Sequence, residues 1–266
     1  MCTVMALRAA DGGFVLAANR DELASRSPAH PPRLMSRAGL KLVYPLDPDG
    51  GGSWISANSA GVAMMLLNNF EAEVGVPSAP EPVSRGLVVK ALASCCSLTE
   101  LQDACSGSAP PSLSRVAPFV LIAIESAPAP SSSPAALRLA WDGQQLDVAP
   151  WRVPGVESSS GSMGEEARSA RESALAGQGL LGAHPVALPS DAQIRDAFAW
   201  HHPAADSRSV CVHGDFGGSR SHTVVRVTAE QVRMSYFVGP PCGASRPLVV
   251  EFSRDPRPSS AANNAV

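Results

Sequence analysis

The stretch that decides the fold is Cys2-Thr3-Val4-Met5-Ala6-Leu7-Arg8, followed by Asp11-Gly12-Gly13, Phe14-Val15-Leu16-Ala17-Ala18 and Asn19-Arg20-Asp21-Glu22. Cys2 to Arg8 is rich in apolar and β-branched residues and alternates as a strand does. Asp11-Gly12-Gly13 is a turn signal, and Phe14 to Ala18 is a second apolar strand. This predicts a hairpin, in which residue 2 and the residues near 20 lie side by side. The four polar or charged residues that follow the second strand then have two readings. Either Arg20 and Asp21 border Cys2, or they form a solvated strand end with charges in water.

The pattern of hairpins continues outward. Arg26 to Pro32 is a Pro-rich loop, and Ser53–Ala57 and Val62–Leu67 form a second hairpin about Asn58-Ser59-Ala60-Gly61. Pro77 to Pro82 is another loop. Helices are expected over Ser84–Ser94, with Ser84 as N-cap, and from Ser97, where Ser97 and Glu100 have capping-box spacing. Ala117–Glu125 is a buried strand, and Ala127–Pro134 is a low-complexity linker. Leu137–Trp141 and Gln144–Val148 flank the turn Asp142-Gly143. Two further helices, Glu165–Ala176 and Asp191–Trp200, precede strands at Ser209–His213, His222–Val227, Val232–Val238 and Leu248–Phe252. Hairpins, then helices, then hairpins describe an α+β layered domain with mainly antiparallel sheet. Residues 1–253 read as one domain, and 254–266 as a small, polar, disordered tail.

Composition narrows the function classes. The 266 residues are 45% hydrophobic and 17% charged, which excludes wholesale disorder. A net charge of −3 leaves no basic field for a nucleic-acid backbone, so no nucleic-acid partner is expected. Lys41 and Lys90 are the only lysines, which leaves few candidates for Schiff-base or phosphate-loop chemistry. No run of about 18 apolar residues exists, so no transmembrane segment is expected. The start lacks a charged region and a long apolar core of a secretory signal. Cysteines stand at 2, 95, 96, 105, 211 and 242, with no Cys-x-x-Cys pair, and a reduced, cytoplasmic setting is expected. Dinucleotide, P-loop and Gly-x-Ser-x-Gly motifs are missing.

Cys2 is the first chemical candidate. Initiator Met is usually removed before a small second residue. Removal would put a thiol and a free α-amine on one residue. An α-amine titrates at ~7.7–8.0, so it can take the thiol proton and return it to a leaving amine. The plain alternative is a cysteine at position 2 by accident. Arg20 would stabilise a thiolate, and Asp21 would orient the α-ammonium. His201-His202 reads as a surface helix end, because further zinc ligands are not close in sequence. Cys211 and His213, two apart on the expected strand, read as a packed strand face or as a metal pair.

Met1-Cys2 followed by Ala18-Asn19-Arg20-Asp21-Glu22 resembles the NRDE family, similar to Transport and Golgi Organisation 2. Three more segments agree in order: Gly51-Gly52-Ser53-Trp54-Ile55, Gly61 to Asn68-Asn69, and Val210 through Gly217-Gly218-Ser219-Arg220-Ser221-His222-Thr223. That family resembles the N-terminal nucleophile hydrolases, which implies a four-layer αββα sandwich. The resemblance implies Cys2 as nucleophile and Asp21 beside its α-amine. It implies Asn68 in an oxyanion hole and Arg220 near the nucleophile, with Arg20 in the same motif but offset in register. It implies a cysteine hydrolase or acyl transferase acting on a small amide or ester, with no metal or organic cofactor. One departure stands out. The relatives carry a second oxyanion asparagine where this chain has Ser158-Ser159-Ser160. The alternative function is a non-catalytic carrier on the same fold that binds haem or an acyl or lipid amphiphile, in haem trafficking or lipid homeostasis.

Overall fold

Strand β1 (Cys2–Arg8) pairs antiparallel with β2 (Phe14–Leu23), placing Cys2 opposite Arg20 and Thr3 opposite Asn19. The hairpin is therefore the expected one, extended through the polar motif. The structure, a computed structural model, describes residues 2–73, 83–106, 113–126, 135–160, 163–181, 187–204, 206–243 and 245–255. The Ala127–Pro134 linker and the Pro77–Pro82 loop lie outside the described residues.

The hairpin sits inside a six-stranded sheet of order β10-β1-β2-β11-β12-β13, where β10 is Gly155–Ser159, β11 Gly217–Val227, β12 Gln231–Val238 and β13 Leu248–Ser253. A seven-stranded sheet runs in chain order through β3 (His30–Arg37), β4 (Leu40–Leu46), β5 (Ile55–Asn58), β6 (Val62–Asn68), β7 (Phe119–Glu125), β8 (Ala136–Trp141) and β9 (Leu146–Pro150). All strand pairs within the two sheets are antiparallel.

Three hydrophobic layers hold the sheets and helices together. Between the sheets pack Val4, Ala6, Leu16 and Ala18 of the first against Ile55, Met65, Leu67 and Ile122 of the second. The outer face of the second sheet is covered by α2 (Gly86–Leu92) and α3 (Leu98–Ser106). The outer face of the first is covered by α4 (Gly164–Gly177) and α5 (Asp191–Phe198), which meet Met5, Leu7, Val15 and Ala17. The order is thus αββα. Both faces of β1 and β2 are buried, which is why these strands read as near-continuous apolar runs. A short helix, α1 (Phe70–Glu73), follows β6. Among the described residues, no helix is long and apolar enough to cross a membrane.

Several local expectations need correction. Strand β3 begins at His30, inside the segment read as a Pro-rich loop. Its two prolines are tolerated because β3 is an edge strand whose register shifts between His30 and Arg33. Ser84 does not cap α2; the N-cap is Arg85, without a side-chain cap. Ser209–His213 is not a strand but an irregular segment. Arg254 continues past β13 and donates to Ser126 Oγ at 2.9 Å and to the Ala60 carbonyl at 3.1 Å.

Candidate active site

Strand alternation divides the polar motif between two faces. Cys2 packs toward the inter-sheet core with Val4 and Ala6, and its cross-strand neighbour Arg20 shares that face. Thr3, Asn19 and Asp21 point the other way, toward α4 and α5. Cys2 is half-buried, flanked by Arg20 on β2 and Ser159 on β10, and its backbone N–H donates to Ser159 Oγ at 3.2 Å. Burial pushes its thiol above the usual range. The Asp21 carboxylate adds to that push, while a hydrogen bond from the Asp21 backbone and the Arg20 charge oppose it.

Asp21 is buried, and its Oδ1 accepts from Ser219 Oγ at 2.6 Å. Burial pushes its carboxyl above the usual carboxylate range, and the nearby Arg171 charge works against this. Arg171 is the residue that sequence reasoning missed. It projects from α4, is wholly buried, and donates to Thr3 Oγ1 at 3.2 Å and to the carbonyls of Ser159 at 3.3 Å and Ser207 at 2.5 Å. A signal for it exists in the chain. Ala167, Arg171 and Leu175 lie four apart on the buried stripe of α4, and an arginine on an apolar stripe demands an acidic or carbonyl partner.

Arg20 is nearly buried. Its guanidinium lies 4.4 Å from the centre of the Trp54 ring and pairs with Glu22 at 3.3 Å and Asp47 at 3.9 Å. Arg220 is placed by a bulge. Ser219 pairs with Asp21 and Ser221 with Arg20, so Arg220 is the extra residue between them. Arg20 and Arg220 both line an open cleft of about 440 Å³, together with His213 and the apolar Leu23, Tyr236 and Val238. Cys2 is not among the residues lining that cleft; its cross-strand partner Arg20 is. Asn68, at the end of β6, lines a separate cavity of about 40 Å³ with Ser158, Ser159 and Ser160. Asn68 thus shares a cavity wall with Ser159, the residue whose hydroxyl accepts from the Cys2 N–H.

Asn19 has a structural task. Its Nδ2 donates to the carbonyls of Phe198 and Val210 at 3.2 and 2.9 Å, and its Oδ1 meets His222 Nδ1 at 2.8 Å. His222 is fully buried, and burial pushes its pKa down to about 3, so it is neutral. His201 is exposed just after α5, as expected of a surface helix end, and Cys211 and His213 lie together though not on a strand. These three residues and Cys242 bring one ligand atom each to within 4.8 Å of one another. No local spacing reveals this, because the fourth member arrives from the turn after β12.

Two antiparallel sheets between helical layers, with Cys2 opening an inner strand, define an αββα sandwich protein. The profile of the Transport and Golgi organisation 2 family matches residues 1–140, and the chain belongs to that family. Among solved structures, it is similar to an N-acylethanolamine-hydrolyzing acid amidase ortholog from Caenorhabditis elegans. That likeness has 13% identity and a TM-score of 0.55, covering 84% of this chain and 92% of the other. It is also similar to a variant of conjugated bile acid hydrolase from Clostridium perfringens, at 13% identity and a TM-score of 0.49, covering 95% of this chain and 92% of the other. No curated protein matches the sequence.

Proposed function

We propose that the protein is a cysteine hydrolase or acyl transferase of the N-terminal nucleophile type, acting on a small amide or ester once Met1 is removed. The observation that carries this is the burial of two opposite charges, Asp21 and Arg171, beside the Cys2 strand end, near enough for the Arg171 charge to act on the Asp21 carboxyl. A carboxylate and a guanidinium taken out of water cost stability unless something else is gained, and such groups gather at functional sites. Asp21 lies on the helix-facing side of β2, away from the sulfur, so its carboxylate serves the α-ammonium and not the thiol itself.

In the proposed reaction the α-amine accepts the thiol proton, and the sulfur forms a bond to the carbonyl carbon. The oxyanion is held by Asn68 and a backbone N–H. The C–N or C–O bond then breaks, and the α-ammonium returns the proton to the leaving group. Water, or an acceptor nucleophile, cleaves the resulting thioester by the same relay. Because burial raises the Cys2 thiol, a base on the same residue is needed to produce thiolate near neutral pH. Intact mass of the purified chain tests the first step, and turnover of N-acyl amides by wild type and Cys2→Ala tests the rest. Loss of Met1, with cleavage abolished in Cys2→Ala, is the expected result. A retained Met1, or a Cys2→Ala protein as active as wild type, removes the enzyme reading.

One observation favours a second reading. The large cleft is lined by three arginines (Arg20, Arg26 and Arg220) against one carboxylate, Glu22, with apolar side chains between them, yet not by Cys2. That composition suits an amphiphile with an anionic head, such as an acyl-CoA or a haem with its propionates, and so supports a carrier. A carrier keeps its ligand affinity in Cys2→Ala and releases no product.

A further inference from the structure

Four metal-ligating side chains from separate parts of the chain converge at the rim of the cleft. His201 follows α5, Cys211 and His213 flank Val212 in the irregular segment beyond it, and Cys242 lies in the turn after β12. Cys211 Sγ is 3.6 Å from Cys242 Sγ and 3.4 Å from His213 Nε2. Cys242 Sγ is 3.3 Å from His213 Nε2, and His213 Nε2 is 3.1 Å from His201 Nε2. The geometry points to a structural zinc site of two thiolates and two imidazoles that fastens two segments lining the cleft to each other.

Four of the six edges match a tetrahedron, and the two from His201 Nε2 to the sulfurs lie within 4.8 Å, a span that a small turn of the exposed His201 ring would close. With Zn–S bonds of ~2.3 Å and Zn–N bonds of ~2.05 Å, a regular tetrahedron has edges of about 3.8 Å between sulfurs, 3.6 Å between sulfur and nitrogen, and 3.3 Å between nitrogens. The four distances above fall short of these by no more than about 0.3 Å. Two sulfurs and two imidazole nitrogens in this arrangement are a zinc donor set. All four corners are protein atoms, so no position remains for water or substrate, and the role is structural.

The surrounding backbone is built to hold the ligands. Cys211 N–H donates to the Trp200 carbonyl at 3.0 Å. Val212, between two ligands, donates to Ser219 Oγ at 3.0 Å and accepts from Ser219 N–H at 2.8 Å. A Cβ on Gly218 would stand 2.5 Å from the Val212 carbonyl oxygen, so this close approach needs glycine. His213, and Gly239 and Pro240 just before Cys242, line the cleft from two segments distant in the chain. Ser219 in turn donates to Asp21. The ion would thus fix both these lining segments and the serine that orients Asp21. The site stands whether the cleft serves a hydrolase or a carrier.

The test uses the full chain with zinc chloride and with cobalt chloride as probes. Measurements are metal content, competition against a chromophoric chelator, the cobalt spectrum, and mass-resolved alkylation of the thiols. Expected are a single zinc ion per chain, a tetrahedral cobalt spectrum with a thiolate charge-transfer band, and zinc protection of Cys211 and Cys242. His201→Gln and Cys242→Ser change exposed residues, and circular dichroism checks that they fold. Each should weaken zinc at least ~100-fold, since even outer-shell partners of a metal are worth ~10–100-fold. Cys96→Ser should leave affinity unchanged. Substoichiometric zinc in wild type, variants that bind zinc as wild type does, or a Cys211–Cys242 disulfide formed in thiol-containing buffer would each overturn the site.

Discussion

Replacing Arg171 with Met tests whether the electrostatics under Cys2 is what the structure says. The methionine keeps most of the apolar stem, so the change removes mainly the guanidinium. Three hydrogen bonds go with it, to Thr3 Oγ1, the Ser159 carbonyl and the Ser207 carbonyl. At ~1 kcal/mol each they amount to about 3 kcal/mol. The Asp21 carboxylate also loses its nearby cation, and breaking a buried charge pair costs ~3–5 kcal/mol. These overlap, so the expected loss is about 3–5 kcal/mol, or some 6–20 °C in Tm at ~2–4 °C per kcal/mol. Denaturant melts of wild type, Arg171→Met, Asp21→Asn and the double variant measure it. Coupling of ~1–3 kcal/mol is expected, because the Asp21→Asn change leaves no carboxylate to be stranded. The pH dependence has a definite sign. The folded-state pKa of Asp21 is raised by burial. Its contribution is therefore fully present below the unfolded value and is lost as pH rises through the folded value. The Arg171→Met penalty should accordingly be smaller in mildly acidic buffer than at neutral pH. A loss under about 1 kcal/mol, additive single variants, or a penalty that grows in acid would refute the reasoning.

Four further outcomes follow. His222 is held at about 3, against 6.5 unfolded, so it adds stability above 6.5 that is lost as pH falls. The slope reaches ~1.4 kcal/mol per pH unit, and urea midpoints across pH should show it flattened in His222→Gln. A Cβ on Gly52 would stand 2.3 Å from the Gly86 carbonyl carbon, so Gly52→Ala should cost ~1–3 kcal/mol by thermal melt. By contrast Gly177→Ala, with open space at the end of α4, should gain up to ~1 kcal/mol. Arg20→Leu and Arg220→Leu should each weaken an anionic amphiphile ~10-fold or more by titration calorimetry, with a reduced salt dependence. Equal affinity for charged and neutral head groups would remove the anionic-ligand expectation.

What was legible in the sequence is what local chain geometry controls. The β1–β2 hairpin could be placed because alternation and a turn signal are short-range, and they fix the register that sets Cys2 opposite Arg20. The cap of α3 is also local: Glu100 N–H donates to Ser97 Oγ at 3.1 Å, and the Glu100 carboxylate accepts from the Cys96 N–H at 2.7 Å. Groups assembled across the chain were not legible. Ser159 reaches Cys2 over 157 residues and Arg171 reaches Thr3 over 168, and nothing in either neighbourhood names its partner. The cluster of His201, Cys211, His213 and Cys242 was not legible for the same reason, compounded by a strand expected at Ser209–His213 where the chain is irregular.

The polar motif shows why four adjacent residues were hard to interpret as one unit. On a strand they cannot share a task, because neighbours face opposite layers. Asn19 ties β2 to the helix layer through the Phe198 and Val210 carbonyls, and Asp21, on the same face, answers Ser219 and Arg171. Arg20 turns to the inter-sheet side, where Trp54, Glu22 and Asp47 hold its guanidinium at the cleft. Contiguity in sequence here reflects the end of a buried strand on which both faces have been made polar. A solvated strand end would leave Arg20 and Asp21 exposed, but they retain only 6% and 3% of their surface. That burial is what moves the motif from an ordinary strand terminus to a candidate site.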